Sequence, residues 1–161
     1  MERGANPEIG VEKAMDRHAT EGKGAMVARA QDYFGLLNSL KLCHFVAPVV
    51  WPSHASRLLN AVTGWDTTGE ELLEIGERFI NLTRVYNVRC GVRRKDDDLP
   101  ARLKREAFVD GGSAGYLPPT EAMVAEYYQH RGWSEEGMPT EATLRRLGLT
   151  REWGDLQGVI G

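Results

Sequence analysis

Cys43 closes the run Asn38-Ser39-Leu40-Lys41-Leu42-Cys43, five residues after a polar amide and directly before His44-Phe45, and it is one of two cysteines in the chain. A thiolate is a soft ligand able to bind iron, but an iron–sulfur cluster normally takes four protein ligands. Counting therefore excludes a cluster built from this chain's thiols alone. By itself, Cys43 reads either as a small buried hydrophobe, the commoner role of a free cysteine, or as one ligand of a larger site. Asn38 by itself is a polar surface or capping residue. His44 has no histidine or carboxylate at a ligand spacing and stays unassigned. Cys90 lies among Asn87, Arg89 and Arg93, cations that favour a reactive thiol, although an incidental cysteine is the simpler reading. The chain carries no phosphate-cradling glycine loop, no nucleophile–base arrangement and no paired histidines.

The elements that must position these residues follow from periodicity and punctuation. Residues 1–22 hold many charges and turn formers (Gly4, Asn6, Pro7, Gly10), which predicts a loose, poorly packed lead-in before a helical domain over 23–161. From Gly24, the residues Met26, Ala30, Tyr33, Phe34, Leu37 and Leu40 recur at helical intervals. Pro48 and Pro52 then turn the chain shortly after Cys43. Ser53 is expected to cap a short helix that Gly64 stops.

Thr68 and Glu71 have the spacing of a capping box. They open the clearest helix, with Leu72, Ile75, Phe79, Leu82 and Tyr86 as its expected inward stripe and Asn81 and Arg84 largely away from it. A long connection over 91–115 is expected to hold one helical turn at 101–106. Thr120 to Gly132 is a further helix, with Met123, Val124, Tyr127 and Tyr128 inward. Thr140 caps what reads as the last helix, ending at Gly148. No alternation of strand length stands out, so the fold class is all-α, a multihelical bundle with irregular joints.

Composition narrows the partners. The chain has 161 residues, 42% hydrophobic and 27% charged, which suits one globular domain with a core. The net charge of −3 comes with basic residues scattered among acids, which argues against nucleic acid. The one dense basic run, Arg93-Arg94-Lys95, is answered at once by Asp96-Asp97-Asp98. The longest apolar run, Phe45 to Trp51, is too short to cross a bilayer and holds a proline, so no membrane span is expected. Two cysteines and no leader-like N-terminus point to a soluble protein of a reducing, cytoplasmic compartment.

The order and wording of the segments add a specific resemblance. Asn6-Pro7-Glu8, Glu21-Gly22-Lys23 and Gln31-Asp32 precede the run Asn38 to Phe45. Ala61-Val62-Thr63-Gly64-Trp65, Gly76-Glu77-Arg78, Asn81-Leu82-Thr83-Arg84, Asn87-Val88-Arg89 and Arg94-Lys95-Asp96-Asp97 follow it. Glu126-Tyr127-Tyr128, Arg131-Gly132-Trp133, Gly137-Met138-Pro139-Thr140 and Leu147-Gly148-Leu149 close the series. Together they resemble the C-terminal helical region of the tungsten-dependent aldehyde ferredoxin oxidoreductases across almost the whole chain.

The resemblance implies an oxidoreductase that turns aldehydes into carboxylic acids and passes electrons from a tungsten bis-pterin centre through a 4Fe-4S cluster to ferredoxin. It assigns Cys43 as one cluster ligand of four, Leu42 as a pterin contact and Asn38 as the pterin-facing polar residue. The family's catalytic residues, its other cluster cysteines and its pterin-binding domain belong to a preceding region, which implies a C-terminal piece needing that N-terminal partner portion. Dimers are common in the family. Asn38 stands where aspartate is usual, Lys41 where glycine is frequent and Cys90 where glutamate is usual, which leaves room for another substrate. One branch of the family reduces aromatic thioester rings. A stand-alone, non-catalytic helical module that keeps the fold is the alternative from a different class. If the chain docks on a missing domain, Cys43, Phe45, Val49 and Trp51 should be partly uncovered.

Overall fold

The computed structural model describes residues 5–160, and its regular structure is all-α. Seven α-helices follow in order: α1 Lys23–Ser39, α2 Pro52–Thr63, α3 Gly69–Arg89, α4 Ala101–Arg105, α5 Thr120–Arg131, α6 Glu141–Arg146 and α7 Thr150–Ile160. The described residues contain isolated bridges, such as Asn6 with Val11, and no strand. No helix among them is long and apolar enough to cross a membrane.

Helix α1 is the centre, with α3 and α5 packed against it. Glycines set how closely they pack. A Cβ on Gly76 of α3 would lie 1.9 Å from the Asp32 carbonyl oxygen, and one on Gly35 of α1 would lie 3.0 Å from the Gly76 carbonyl oxygen. Only a missing side chain lets the two backbones approach so closely. Around this crossing Leu36, Leu37 and Leu72 are fully buried, each contributing about 1.5–3 kcal/mol by leaving water. A second cluster, from Val85 and Val88 through Leu144, Leu147, Leu149 and Leu156, joins α3 to α6 and α7.

Helix α3 begins as expected: Thr68 accepts from the Glu71 backbone N–H, and Glu71 returns a bond to the Thr68 N–H. Its buried face differs from the expected stripe. Leu72, Gly76, Asn81, Arg84, Val85 and Val88 turn inward, whereas Phe79, Leu82 and Tyr86 are 41%, 45% and 66% exposed. Asn81 and Arg84 can face inward because each finds partners there. Asn81 accepts from Trp133 Nε1 at 2.8 Å, and Arg84 donates to the Gly137 carbonyl at 2.7 Å and to Asp97.

Three further expectations change. Within the described part of the lead-in, Ile9 and Val11 are packed, buried in a cluster with Met26, Tyr33 and Leu37. Ser53 is not the cap of α2, because Pro52 is already its first residue. Ser53 instead gives its N–H and hydroxyl to Glu8 at 2.8 and 2.6 Å, so a carboxylate from the lead-in covers the helix N-terminus. The chain also runs past Gly148 into α7, which brings fully buried Leu156 onto the α3–α6 cluster.

The polar interior is paired throughout α5. Arg131, 1% exposed, donates to Asp32 at 2.5 Å, to the Ala28 carbonyl at 2.7 Å and to Gln31 at 2.9 Å. Tyr127 lies under its guanidinium, 5.3 Å away. These bonds tie α5 to α1, as a buried charge requires. Burial pushes the Asp32 carboxyl up to about 6, against the pull of Arg131.

Candidate functional site at the end of helix α1

The run that carries Cys43 is shaped by how α1 stops. Lys41 N–H bonds to the Asn38 carbonyl and Leu42 N–H to the Leu37 carbonyl, at 3.1 and 2.9 Å. That is the Schellman pattern, which needs a left-handed residue between the last helical turn and the apolar residue that folds back. Lys41 supplies it at φ 59°, the one non-glycine residue with positive φ in the described chain. Leu42 folds back onto the cluster that contains Leu37. Helix α3 ends the same way, with Gly91 at the left-handed position and Val92 bonding back to Asn87. The comparison gives a physical reason for glycine where Lys41 stands: a side chain there is strained.

Cys43 comes next, in extended backbone, and opens the 3-10 turn His44–Val46. It is exposed, so the buried-hydrophobe reading of this thiol is set aside. Tyr33 holds the following loop. Its buried hydroxyl donates to the Ala47 and Val50 carbonyls at 2.9 and 2.5 Å, and burial pushes it up to about 12, so it stays a donor. Phe45 and Val49 are left 94% and 70% exposed while Trp51 is half-buried.

Asn38, Ser39, Lys41, Leu42, Cys43 and Phe79 line one concavity of about 730 Å³. The structure thus brings together all three residues singled out from the sequence and adds Phe79 from α3. Phe79 reaches this place because Gly35 is bare: a Cβ there would come within 3.2 Å of the ring. Asn38 is not free, since its Oδ1 lies 2.8 Å from His44 Nε2. The His44 ring packs on Phe34, with centroids 4.8 Å apart. Sequence reasoning left His44 unassigned and placed Phe79 in the core. The spacing of six between Asn38 and His44 gave no signal, because their meeting depends on the turn at Lys41.

Among the described residues no group of three or more histidines, cysteines, aspartates or glutamates is placed to hold a metal ion. What the run presents is a single accessible thiol on a rim, with an amide and an apolar residue beside it. Cys90 is exposed at the end of α3 and lies outside this concavity.

The other quoted segments converge on a structural centre. Asp97 receives Arg84 at 2.9 Å and also the Tyr128 hydroxyl, while Arg84 lies 4.9 Å above the Trp133 ring. Burial alone would raise the Asp97 carboxyl, but the bonds from Arg84 and Tyr128 outweigh it and hold it below its ordinary value. Tyr128 is pushed up to about 12 by burial and by Asp97. This network pins the long connection to α3 and α5 and borders a second cavity of about 530 Å³ between α1, α3 and α5.

The helical domain and its segments have counterparts in known proteins. Residues 2–149 match the family model described as aldehyde ferredoxin oxidoreductase, domains 2 and 3, and the chain belongs to that family. Relatives include the tungsten-containing aldehyde ferredoxin oxidoreductases of Pyrococcus abyssi and Pyrococcus furiosus, 37% and 36% identical over 147 residues. Each match takes in 89% of this chain and 24% of the relative, so the chain spans about a quarter of their length. An aliphatic sulfonate oxidoreductase, WOR-like subunit, of Pyrococcus furiosus is 38% identical over 99 residues, 56% of this chain and 16% of that protein. In fold, the chain is similar to the active site complex BamBC of benzoyl coenzyme A reductase in complex with 1,5-dienoyl-CoA. The TM-score is 0.67 at 23% identity, over 83% of this chain and 20% of that one.

Proposed function

We propose that this chain supplies Cys43 as one thiolate of a 4Fe-4S cluster, and Asn38 and Leu42 as a wall against a tungsten bis-pterin. The enzyme is an oxidoreductase acting on an aldehyde or another oxo group, with ferredoxin as electron acceptor, in the cytoplasm. The observation that carries this is the exposed Cys43 opening onto one concavity with Leu42 and Asn38. The cofactors, when bound, supply the redox chemistry. The chain's own residues hold and shape: Tyr33 and the turn at Lys41 fix the loop, Leu42 gives an apolar surface, and Cys43 offers sulfur.

The remaining ligands and the pterin domain come from polypeptide beyond these 161 residues, in keeping with a match to about a quarter of each relative. The uncovered apolar residues around the site support docking of such a portion. Phe79, Leu82 and Tyr86 form a stripe on α3 that starts at the concavity, and Phe45 and Val49 flank it in the loop after Cys43. Exposed apolar surface of this kind marks interaction sites. A second reading, reduction of an aromatic thioester ring, has the fold likeness to BamBC behind it.

The test is co-expression with a polypeptide carrying the N-terminal portion, followed by iron and tungsten analysis and low-temperature EPR. Wild type should hold the full cluster and Cys43→Ser should lose iron. A Cys43→Ser assembly with a complete, unaltered cluster removes the ligand assignment.

A further inference from the structure

We propose that His44 is a positioning residue: it fixes the Asn38 amide so that the NH2 group, and not the oxygen, faces the concavity beside Cys43. The inference rests on the reading that this concavity takes the pterin. A carbonyl oxygen carries no proton, so the 2.8 Å contact between Asn38 Oδ1 and His44 Nε2 puts the proton on Nε2, which donates. The ring is held in place from two directions. Phe34 packs against it, one turn before Asn38 on the same face of α1, and Tyr33 ties down the loop that carries its backbone. His44 is not in the wall of the concavity whereas Asn38 is, so the arm of the amide that turns away from His44, Nδ2, is the one left to face it.

Of the neighbouring polar side chains, Lys41 acts in the same sense, because it carries only donors, whereas the Ser39 hydroxyl gives its one proton to the Gly35 carbonyl at 2.9 Å and can only accept from the concavity. Through Asn38 and Lys41 the wall offers hydrogen-bond donors between the apolar surfaces of Leu42 and Phe79. It suits the acceptor edge of a flat ring, a ring carbonyl or an unprotonated ring nitrogen. A carboxylate at position 38 would suit the N–H edge instead, so the asparagine and His44 together change which edge of the bound group is held.

The first arm of the test uses the full chain alone, labelled with nitrogen-15. The His44 ring is expected to carry a proton on Nε2. A ring with no proton on Nε2, which then accepts from Asn38 Nδ2, overturns the proposal. The second arm uses the co-expressed assembly and counts tungsten and iron on the same samples after dialysis. His44→Phe keeps a ring on Phe34 but removes the donor, and it should lower retained tungsten by about tenfold, the scale of losing a supporting partner. His44→Gln, whose amide can donate to Oδ1, should restore most of it. Unchanged tungsten in His44→Phe with a full iron count overturns the positioning role while the cluster reading stands. Loss of the cluster reading shows itself separately, as iron that survives Cys43→Ser.

Discussion

Replacing Gly76 by alanine is the sharpest perturbation of the frame that holds the site. By helix propensity alone, an alanine for a glycine in the interior of α3 should stabilise by about 1 kcal/mol. The crossing with α1 predicts the opposite sign. The added Cβ would lie 1.9 Å from the Asp32 carbonyl oxygen, 2.7 Å from its carbon and 3.1 Å from the Leu36 nitrogen, all main-chain atoms that cannot rotate away. Restoring ordinary contact needs the two backbones to part by roughly 1.5 Å. Overpacking of this kind costs about 1–3 kcal/mol and more when the obstacle is rigid. Separation of α1 from α3 also loosens the packing of buried Leu36, Leu37 and Leu72.

The net expectation is a loss of about 3 kcal/mol, lowering Tm by roughly 6–12 °C for a chain of this length. Gly35→Ala, whose Cβ would meet its nearest atoms at 3.0 and 3.2 Å, should lose less. Circular dichroism melts and urea titrations of the three chains make the comparison. A Gly76→Ala chain as stable as wild type, or more so, refutes the close-approach argument.

Other perturbations address the turn, the buried ion pair and the acid limb of stability. Lys41→Gly removes the left-handed strain at φ 59° and should raise stability by about 1 kcal/mol in urea titration, less any loss from a freer unfolded chain. Arg131→Met takes the guanidinium from Asp32 and the Ala28 carbonyl and leaves Gln31 only the Tyr127 hydroxyl, and a loss of about 3–5 kcal/mol is expected by the same measurement. Asp97 is held below the ordinary aspartate value, so its contribution is present above pH 3.8 and is lost as pH falls through its lower folded value. Asp97→Asn should therefore be less stable than wild type at neutral pH and should approach it in acid. A stability difference that stays constant from neutral pH into acid contradicts that sign.

Local signals in the sequence carried the helices and their ends. The Thr68–Glu71 capping box, the Gly64 and Gly132 stops and the turn at 101–105 were legible because each depends on a few neighbouring residues. The inward face of α3 was not. Periodicity places Phe79, Leu82 and Tyr86 inside, but what turns inward is set by a glycine crossing and by partners for Asn81 and Arg84 that lie far along the chain. Helix α7 lies past Gly148, where the last helix was expected to end, and it is held by Leu156 packing in one cluster with distant Val85 and Val88. Of the residues lining the concavity, Asn38, Leu42 and Cys43 were singled out from family wording. His44 and Phe79 enter only through the turn at Lys41 and the bare surface at Gly35, neither of which leaves a pattern in composition.

The clamp at Asp97 has a consequence for where this architecture tolerates change. Arg84 and Tyr128 seize the long connection near its beginning, and Tyr116 stacks on His18, 4.5 Å between centroids, near its end. Between those two moorings, Leu103, Phe108 and Val109 stand out in water at 45%, 64% and 96% exposure. Added or lost length there can be absorbed like slack in a rope tied at both ends, while the helices that present Cys43 keep their places.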